Sequence, residues 1–341
     1  MTICLAPTRP ERLDDAPLEA VLANLPDTLV GLQPLPGLLP IASPMHRATA
    51  REQLRLAGSD GQPTVVVKRI APELRGWINS ARSIAAQQRA AALGVAPDVL
   101  AADPGQHVHM ERWMDTPWRS ATLTDLSMPA VLDAVLAAKR RLHTSGPLVC
   151  AAAQPGAREP AAIDLAEPGP WHRTAALAAA LRACGIGVPP DLPWLLRQAE
   201  AAAAAIAACP VTPTLCQGDG SAGNVLISPN LAVQLVDYDL AGNADPWWDL
   251  ASTLVEACEF DEDWAVALER FDGRVDGGRL ARLRLYGMGD DLMWGLWGCL
   301  QASVSPRRGI EFFKYGQWRL LRCRQAATSW AFESWLRTVG A

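Results

Sequence analysis

Between Ala48 and Ile70 polar and apolar residues interleave. Arg51, Gln53 and Arg55 stand beside Leu54 and Leu56, and the turn sequence Gly58-Ser59-Asp60-Gly61 leads into Thr64-Val65-Val66-Val67-Lys68-Arg69-Ile70. That pattern predicts a β-hairpin whose second strand is β-branched. The period then lengthens, because Ile78 to Leu93 has helical spacing and ends at Gly94, a residue suited to a helix C-cap, ahead of Pro97. Val99-Leu100 and His107 to Trp113 predict two further short strands, so the first third reads as a small β-rich unit with one helix. Ahead of that unit lie a short helical stretch, Leu18 to Leu25, and a Pro/Gly-rich loop from Leu32 to Pro44.

Past Asp115 the helical period dominates. Leu132 to His143 carries apolar residues at turn-like intervals and Lys139, Arg140 and Arg141 near its C-terminus, where the helix dipole favours cations. Glycine and proline crowd residues 145–170, which predicts a surface excursion. Helices resume at Ala175 to Cys184 and Pro193 to Cys209, a short β-rich segment spans Leu215 to Val236, and helices continue to the end. The class expected is α+β, with a small β-rich lobe over residues 1–112 and a larger α-rich lobe over residues 113–341.

Composition narrows the function classes. Lys and Arg total 31 against 36 Asp and Glu, a formal charge of −5, so no basic field draws nucleic acid or anionic lipid. Hydrophobic residues make up 50% and charged residues 20%, which supports a large buried core. The 8 cysteines are scattered without a CxxC pair, which argues against a metal–thiolate site or a disulfide scaffold. The most apolar run, Ala201 to Cys209, falls well short of the roughly 20 residues a membrane span needs. With no export signal in view, the cytoplasm is the expected location. Tryptophan is over-represented, with 13 Trp beside 5 Phe and 3 Tyr. Its ring face binds cations best among side chains, although a tryptophan-filled core accounts for the same numbers.

Candidate chemistry concentrates in Leu215-Cys216-Gln217-Gly218-Asp219-Gly220-Ser221-Ala222-Gly223-Asn224-Val225-Leu226-Ile227 and the following Val233-Gln234-Leu235-Val236-Asp237-Tyr238-Asp239. Two apolar strands, Val225 to Ile227 and Val233 to Val236, bracket the turn Ser228-Pro229-Asn230, so Asn224 and Asp237 fall at adjacent ends of one hairpin. Asp219 precedes Asn224 by five residues, the offset of the kinase catalytic-loop Asp and Asn, and Asp237 follows on the next strand. Phosphoryl transfer needs a carboxylate to accept the hydroxyl proton and oxygen ligands to hold Mg²⁺. Gly218, Gly220 and Gly223 would let the loop backbone approach a phosphate or substrate. A solvent-exposed loop of turn-forming residues explains the Asp and Asn, but not the strands that flank them.

These stretches resemble the choline/ethanolamine kinase branch of the aminoglycoside phosphotransferase-like superfamily. The family pattern HxDxxxxN, IDxExxG and DPxxDLA reads here as Gln217-Gly218-Asp219 through Asn224, Val236-Asp237-Tyr238-Asp239-Leu240-Ala241-Gly242 and Asp245-Pro246-Trp247-Trp248-Asp249-Leu250-Ala251. The resemblance implies a two-lobed protein-kinase-like fold, with residues 1–112 as the nucleotide-binding lobe and residues 113–341 as the catalytic and substrate-binding lobe. It implies ATP and Mg²⁺, Asp219 as catalytic base, Asn224 and Asp237 as metal ligands, and Asp239 as an auxiliary ligand. Lys68 would contact the phosphates, Gln217 and Asp249 would hold the loop in shape, and the hinge would fall near Met110 to Asp115.

The acceptor implied is a small cationic alcohol, choline or a related amino alcohol. Asp290-Asp291-Leu292-Met293-Trp294-Gly295-Leu296-Trp297 puts two tryptophans at i and i+3 on one helix face, and Phe312 to Arg319 forms a second aromatic patch. Both resemble segments that build the quaternary-ammonium pocket, so Trp294, Trp297 and Tyr315 would form a cage, with Glu256, Asp261, Asp290 or Asp291 supplying negative field. The same spacing fits core residues of a buried helix, and both explanations stand.

The sequence departs from the family pattern at four places. Gln217 stands where His is common, and Leu240 where choline kinases often place a tyrosine. In the helix Ile78 to Leu93 the position expected for a glutamate falls at Ser83, with Gln87 one turn on, so no carboxylate is expected near Lys68. Nucleotide-loop glycines are not evident, Gly37 to Pro44 being the nearest candidate. A catalytically impaired kinase-like binding module, and a kinase for thiamine or an aminoglycoside, therefore remain alternatives.

Overall fold

A computed structural model describes residues 31–35, 51–59, 61–149, 164–186, 188–307 and 309–340. The helix expected at Leu18 to Leu25, the loop candidate Gly37 to Pro44 and most of the 145–170 excursion lie outside the described residues.

The N-terminal part is an antiparallel five-stranded sheet ordered β1-β2-β3-β5-β4, built from β1 (Gln33–Leu35), β2 (Arg51–Ala57), β3 (Pro63–Ile70), β4 (Val99–Asp103) and β5 (Val108–Arg112). The hairpin expected from the alternation is β2–β3, with Leu54 opposite Val67 and Leu56 opposite Val65. Side chains alternate across a strand, which sorts β3 into two faces. Val65 and Val67 join Leu56, Val108 and Met110 in a small apolar cluster. Val66, Lys68 and Ile70 point the other way, together with His109 and Glu111 of β5.

The second face meets helix α1 (Ser80–Ala92), started by Asn79, whose side chain accepts from the Arg82 amide at 3.0 Å. Arg82 reaches from α1 across to distant chain. Its guanidinium donates to the carbonyls of Ala241 (2.9 Å) and Ala166 (2.6 Å) and pairs with Glu167, which is also gripped by Arg173 at 2.6 and 2.8 Å. Arg173 in turn donates to the carbonyl of Trp77 at 3.0 Å. Two arginines thereby clamp the segment around α1 to the segment that follows Asp237.

The C-terminal part is helical, with α2 (Leu123–Leu126), α3 (Pro129–Thr144), α4 (Gly169–Ala183), α5 (Leu192–Ala207), α6 (Pro246–Ala257), α7 (Asp261–Asp272), α8 (Gly277–Val304), α9 (Phe312–Ala327) and α10 (Phe332–Thr338). The 28-residue α8 is buried from Leu285 to Gln301 and packs against α4, α6, α9 and α10. Among the described residues, no helix is long and apolar enough to cross a membrane. The alanine-rich run in α5 is amphipathic and not fully buried, because Ala199, Ala202 and Ile206 face the core while Ala201 and Ala207 are exposed.

Between these helices lie small ribbons. β6 (Arg119–Ser120), β8 (Val225–Ile227) and β9 (Val233–Leu235) form one antiparallel sheet, and β7 (Thr214–Cys216) pairs with β10 (Gly242–Ala244) in another.

Arg82→Ala removes one of the two guanidiniums on buried Glu167 and is expected to lower unfolding free energy by about 2–3 kcal/mol in urea titrations. A loss under about 0.5 kcal/mol would show that the clamp is not a stabilising element.

Candidate active site

The loop 217–224 begins where β7 ends and runs into β8. Val225 pairs with Leu235 and Ile227 with Val233, as the Ser-Pro-Asn turn predicts. At the open end of the hairpin the Val236 amide donates to the Asn224 carbonyl at 2.9 Å, which brings Asn224 beside the approach to Asp237. The Gln217 side-chain Nε2 donates to the Val236 carbonyl at 2.6 Å, so both ends of the loop are tied to the same residue.

Asp219 is buried, and its Oδ1 accepts from the Ser221 amide at 3.0 Å. Asp237 sits at φ 63, in the left-handed region, which takes its side chain out of the strand's alternation. Its Oδ1 is buried with no hydrogen-bond donor among the described residues. A buried carboxylate oxygen without a donor is what a cation would fill, so this donor set fits Mg²⁺. Asp239 is buried two residues on.

Asp249, in the first turn of α6, is fully buried beneath the loop. Its Oδ1 accepts from the Gly218 amide at 2.7 Å and from Lys139 Nζ at 2.8 Å, and Oδ2 lies 2.8 Å from His143 Nε2. Burial pushes this carboxyl up, but Lys139 and His143 outweigh it and hold it well below the ordinary range. His143, Cys216 and Asp249 also lie close enough to hold a metal ion. The Lys139 ammonium on Asp249 opposes a cation there, and burial pushes the Cys216 thiol up.

The loop glycines have a different use from the one expected. A Cβ on Gly220 would stand 2.2 Å from the backbone of Ser252 and Thr253 in α6, and one on Gly218, at φ +77, would stand 2.4 Å from the Leu240 carbonyl. These two residues let the loop lie directly on protein backbone.

The expectation that Lys68 lacks a nearby carboxylate is also overturned. Glu111 Oε1 lies 2.6 Å from Lys68 Nζ. The pair comes from cross-strand register, since Lys68 is opposite His109 and Glu111 is two residues further along the same face. Gln87 donates to Glu111 Oε2, and His109 Nε2 lies 3.4 Å from the same oxygen. Burial pushes the Glu111 carboxyl up, but Lys68 and His109 hold it well below the usual carboxylate range. No periodicity marks Glu111; a cross-strand pairing diagram of β3 and β5 would.

Trp294, Trp297 and Tyr315 do come together. Trp297 packs edge-on against Trp294 (ring centroids 5.4 Å apart) and against Tyr315 (6.5 Å). They are 7%, 2% and 3% exposed and belong to the main hydrophobic core. The neighbouring acids do not present an open field. Arg319 lies 3.1 Å from Glu256, 2.7 Å from Asp290 and 2.6 Å from Asp291, and exposed Asp261 pairs with Arg284.

Residues 51–286 match the phosphotransferase enzyme family (APH), and the chain belongs to it. No curated protein sequence matches the chain. Among solved structures it is similar to a choline/ethanolamine kinase family protein from Mesorhizobium loti, at 23% identity and TM-score 0.70, over 96% of this chain and 98% of that one. It is also similar to the choline kinase LicA from Streptococcus pneumoniae (16% identity, TM-score 0.68, 92% of this chain and 99% of that one), which is also solved in complex with AMP. The aminoglycoside phosphotransferase APH(4)-Ia gives 17% identity and TM-score 0.56 over 92% and 98%. The two-lobed kinase-like fold and the phosphotransferase class read from the motifs hold.

Asp249 and Glu111 both contribute stability that is present above their unfolded pKa near 4 and lost as pH falls through their depressed folded values. Unfolding free energy is therefore expected to fall steadily as pH is lowered from about 5 to about 2, and Asp249→Asn should flatten that limb. An unchanged acid limb in the variant would remove Asp249 from this account.

Proposed function

We propose that this enzyme transfers the γ-phosphate of ATP to the hydroxyl of a small cationic alcohol, choline or a related amino alcohol. The observation that carries the reading is a hairpin end that joins Asn224 to the residue before Asp237, on the loop that carries Asp219, with a buried Asp237 oxygen that has no protein donor among the described residues. Residues 1–112 serve as the nucleotide-binding lobe and residues 113–341 as the catalytic and acceptor lobe.

Asp219 accepts the proton of the acceptor hydroxyl as it attacks the γ-phosphorus in line, and the Ser221 amide keeps its carboxylate oriented. Lys68 contacts the phosphates. Asn224 and Asp237 hold the metal, with Asp239 as auxiliary ligand, and Gln217 and Asp249 keep the loop in shape. Magnesium, when bound, neutralises charge on the phosphates. The choice of acceptor is supported by TM-scores of 0.70 and 0.68 to choline/ethanolamine kinase structures against 0.56 to an aminoglycoside phosphotransferase. The adjoining rings of Trp294, Trp297 and Tyr315 supply the aromatic surface against which the cation lies.

A second reading keeps the reaction and changes the acceptor, to thiamine or an aminoglycoside. It is supported by the likeness to the aminoglycoside phosphotransferase APH(4)-Ia, at TM-score 0.56.

Transfer from labelled MgATP to choline, ethanolamine, thiamine and an aminoglycoside is expected with choline or ethanolamine, and Asp219→Asn should lower kcat by at least about a thousandfold with the fold intact. Turnover retained in the variant would remove Asp219 from the base role, and transfer to thiamine or the aminoglycoside alone would establish the second reading. Trp294→Ala is expected to raise KM for the acceptor about tenfold while leaving KM for ATP unchanged. Equal effects on both would mark Trp294 as a core residue only.

A further inference from the structure

We propose that Glu111 of β5 is the positioning residue for Lys68, in place of a helix carboxylate, so that the lysine is oriented by the sheet alone and independently of helix α1. The inference rests on Lys68 as the phosphate contact of the reaction above.

Lys68 and Glu111 are 6% and 3% exposed, and a buried ammonium requires a carboxylate partner to remain charged. Protein kinases draw that partner from the helix that follows the lysine strand, so displacement of the helix breaks the pair. Helix α1 has the corresponding place here, yet the side chain it sends to the pair is the neutral amide of Gln87. The two oxygens of Glu111 divide the work. Oε1 takes Lys68 at 2.6 Å, whereas Oε2 faces the Gln87 amide and His109 Nε2.

Both charged members therefore belong to adjacent strands whose register is fixed by backbone hydrogen bonds. Moving α1 would cost the neutral Gln87 hydrogen bond to Glu111 and leave the Lys68–Glu111 ion pair on the sheet. Arg82, which fastens α1 to Ala166, Glu167 and Ala241, then serves to hold the helix without being needed to hold the lysine.

The test measures equilibrium binding of MgATP and of adenosine by calorimetry, with thermal midpoints recorded alongside. Glu111→Gln should weaken MgATP about tenfold or more and leave adenosine within about twofold, because the phosphates and not the base depend on Lys68. Gln87 and Lys68 grip the two oxygens of one carboxylate, so the exchanged pair Gln87→Glu with Glu111→Gln should bring MgATP affinity back to within about threefold of the unmodified protein.

MgATP affinity unchanged in Glu111→Gln, or MgATP and adenosine weakened alike, would overturn the proposal. If Glu111→Gln does not fold, the exchanged pair decides: restored MgATP binding supports the proposal, and a folded protein in which MgATP and adenosine are weakened alike overturns it. Failure of the unmodified protein to bind MgATP would sink the phosphotransfer reading and this one together. Normal MgATP binding without transfer to choline would change the acceptor alone.

Discussion

A carboxylate shut away from water is unfavourable by several kcal/mol unless hydrogen bonds and counter-charges fill its lone pairs. Asp249 has no solvent contact, and the groups that satisfy it come from far apart: Lys139 and His143 from α3, and the Gly218 amide from the loop after β7. Removing any one of them leaves buried charge exposed to an apolar surrounding, so the loop, α3 and α6 have a single low-energy arrangement. The loop can reach Asp249 only because Gly220 lies against the backbone of Ser252 and Thr253. Asp219 is thereby presented by a backbone that rests on a helix.

The same logic recurs elsewhere in the chain. Arg82 and Arg173 share Glu167, Lys68 shares Glu111 with Gln87 and His109, and Arg319 gathers Glu256, Asp290 and Asp291. In each case a long cationic or amide side chain spans to a carboxylate on another element. Isolated surface pairs of this kind contribute little, but these are buried, and breaking one leaves an unpaired charge in a low dielectric. The apolar core sets how tightly the helices pack around α8, and the buried pairs set which loop and strand meet there.

What was legible in the sequence follows from range. The hairpins, helix α1 and the Asp219, Asn224 and Asp237 spacing are written in residues a few positions apart, where periodicity and turn chemistry speak directly. Glu111 was not legible as the partner of Lys68, since it depends on the register of β3 with β5 across an intervening helix and strand. Nothing close to Arg82 in the sequence marks its role, because its partners lie 84 to 159 residues away. The glycines of the loop were visible, but their use was not, because what crowds them is α6 and Leu240.

The tryptophan excess shows how composition and structure can agree on chemistry while differing on its owner. Tryptophan faces do bind cations here, but the cations belong to the chain itself: Arg173 lies 4.3 Å from the Trp77 ring centroid, Arg284 lies 4.7 Å from Trp264 and 4.8 Å from Trp335, and Arg322 lies 5.0 Å from Trp318. An arginine stacked on an indole keeps its donors free for carboxylates while covering apolar surface. Arg173 does both, lying on Trp77 and gripping Glu167, and Arg284 does so with Asp261. A chain with many buried carboxylates needs buried arginines, and buried arginines need flat, polarisable surfaces to lie on. These tryptophans are thus occupied by the chain's own arginines, and selection of a cationic acceptor must be argued separately from the tryptophan content.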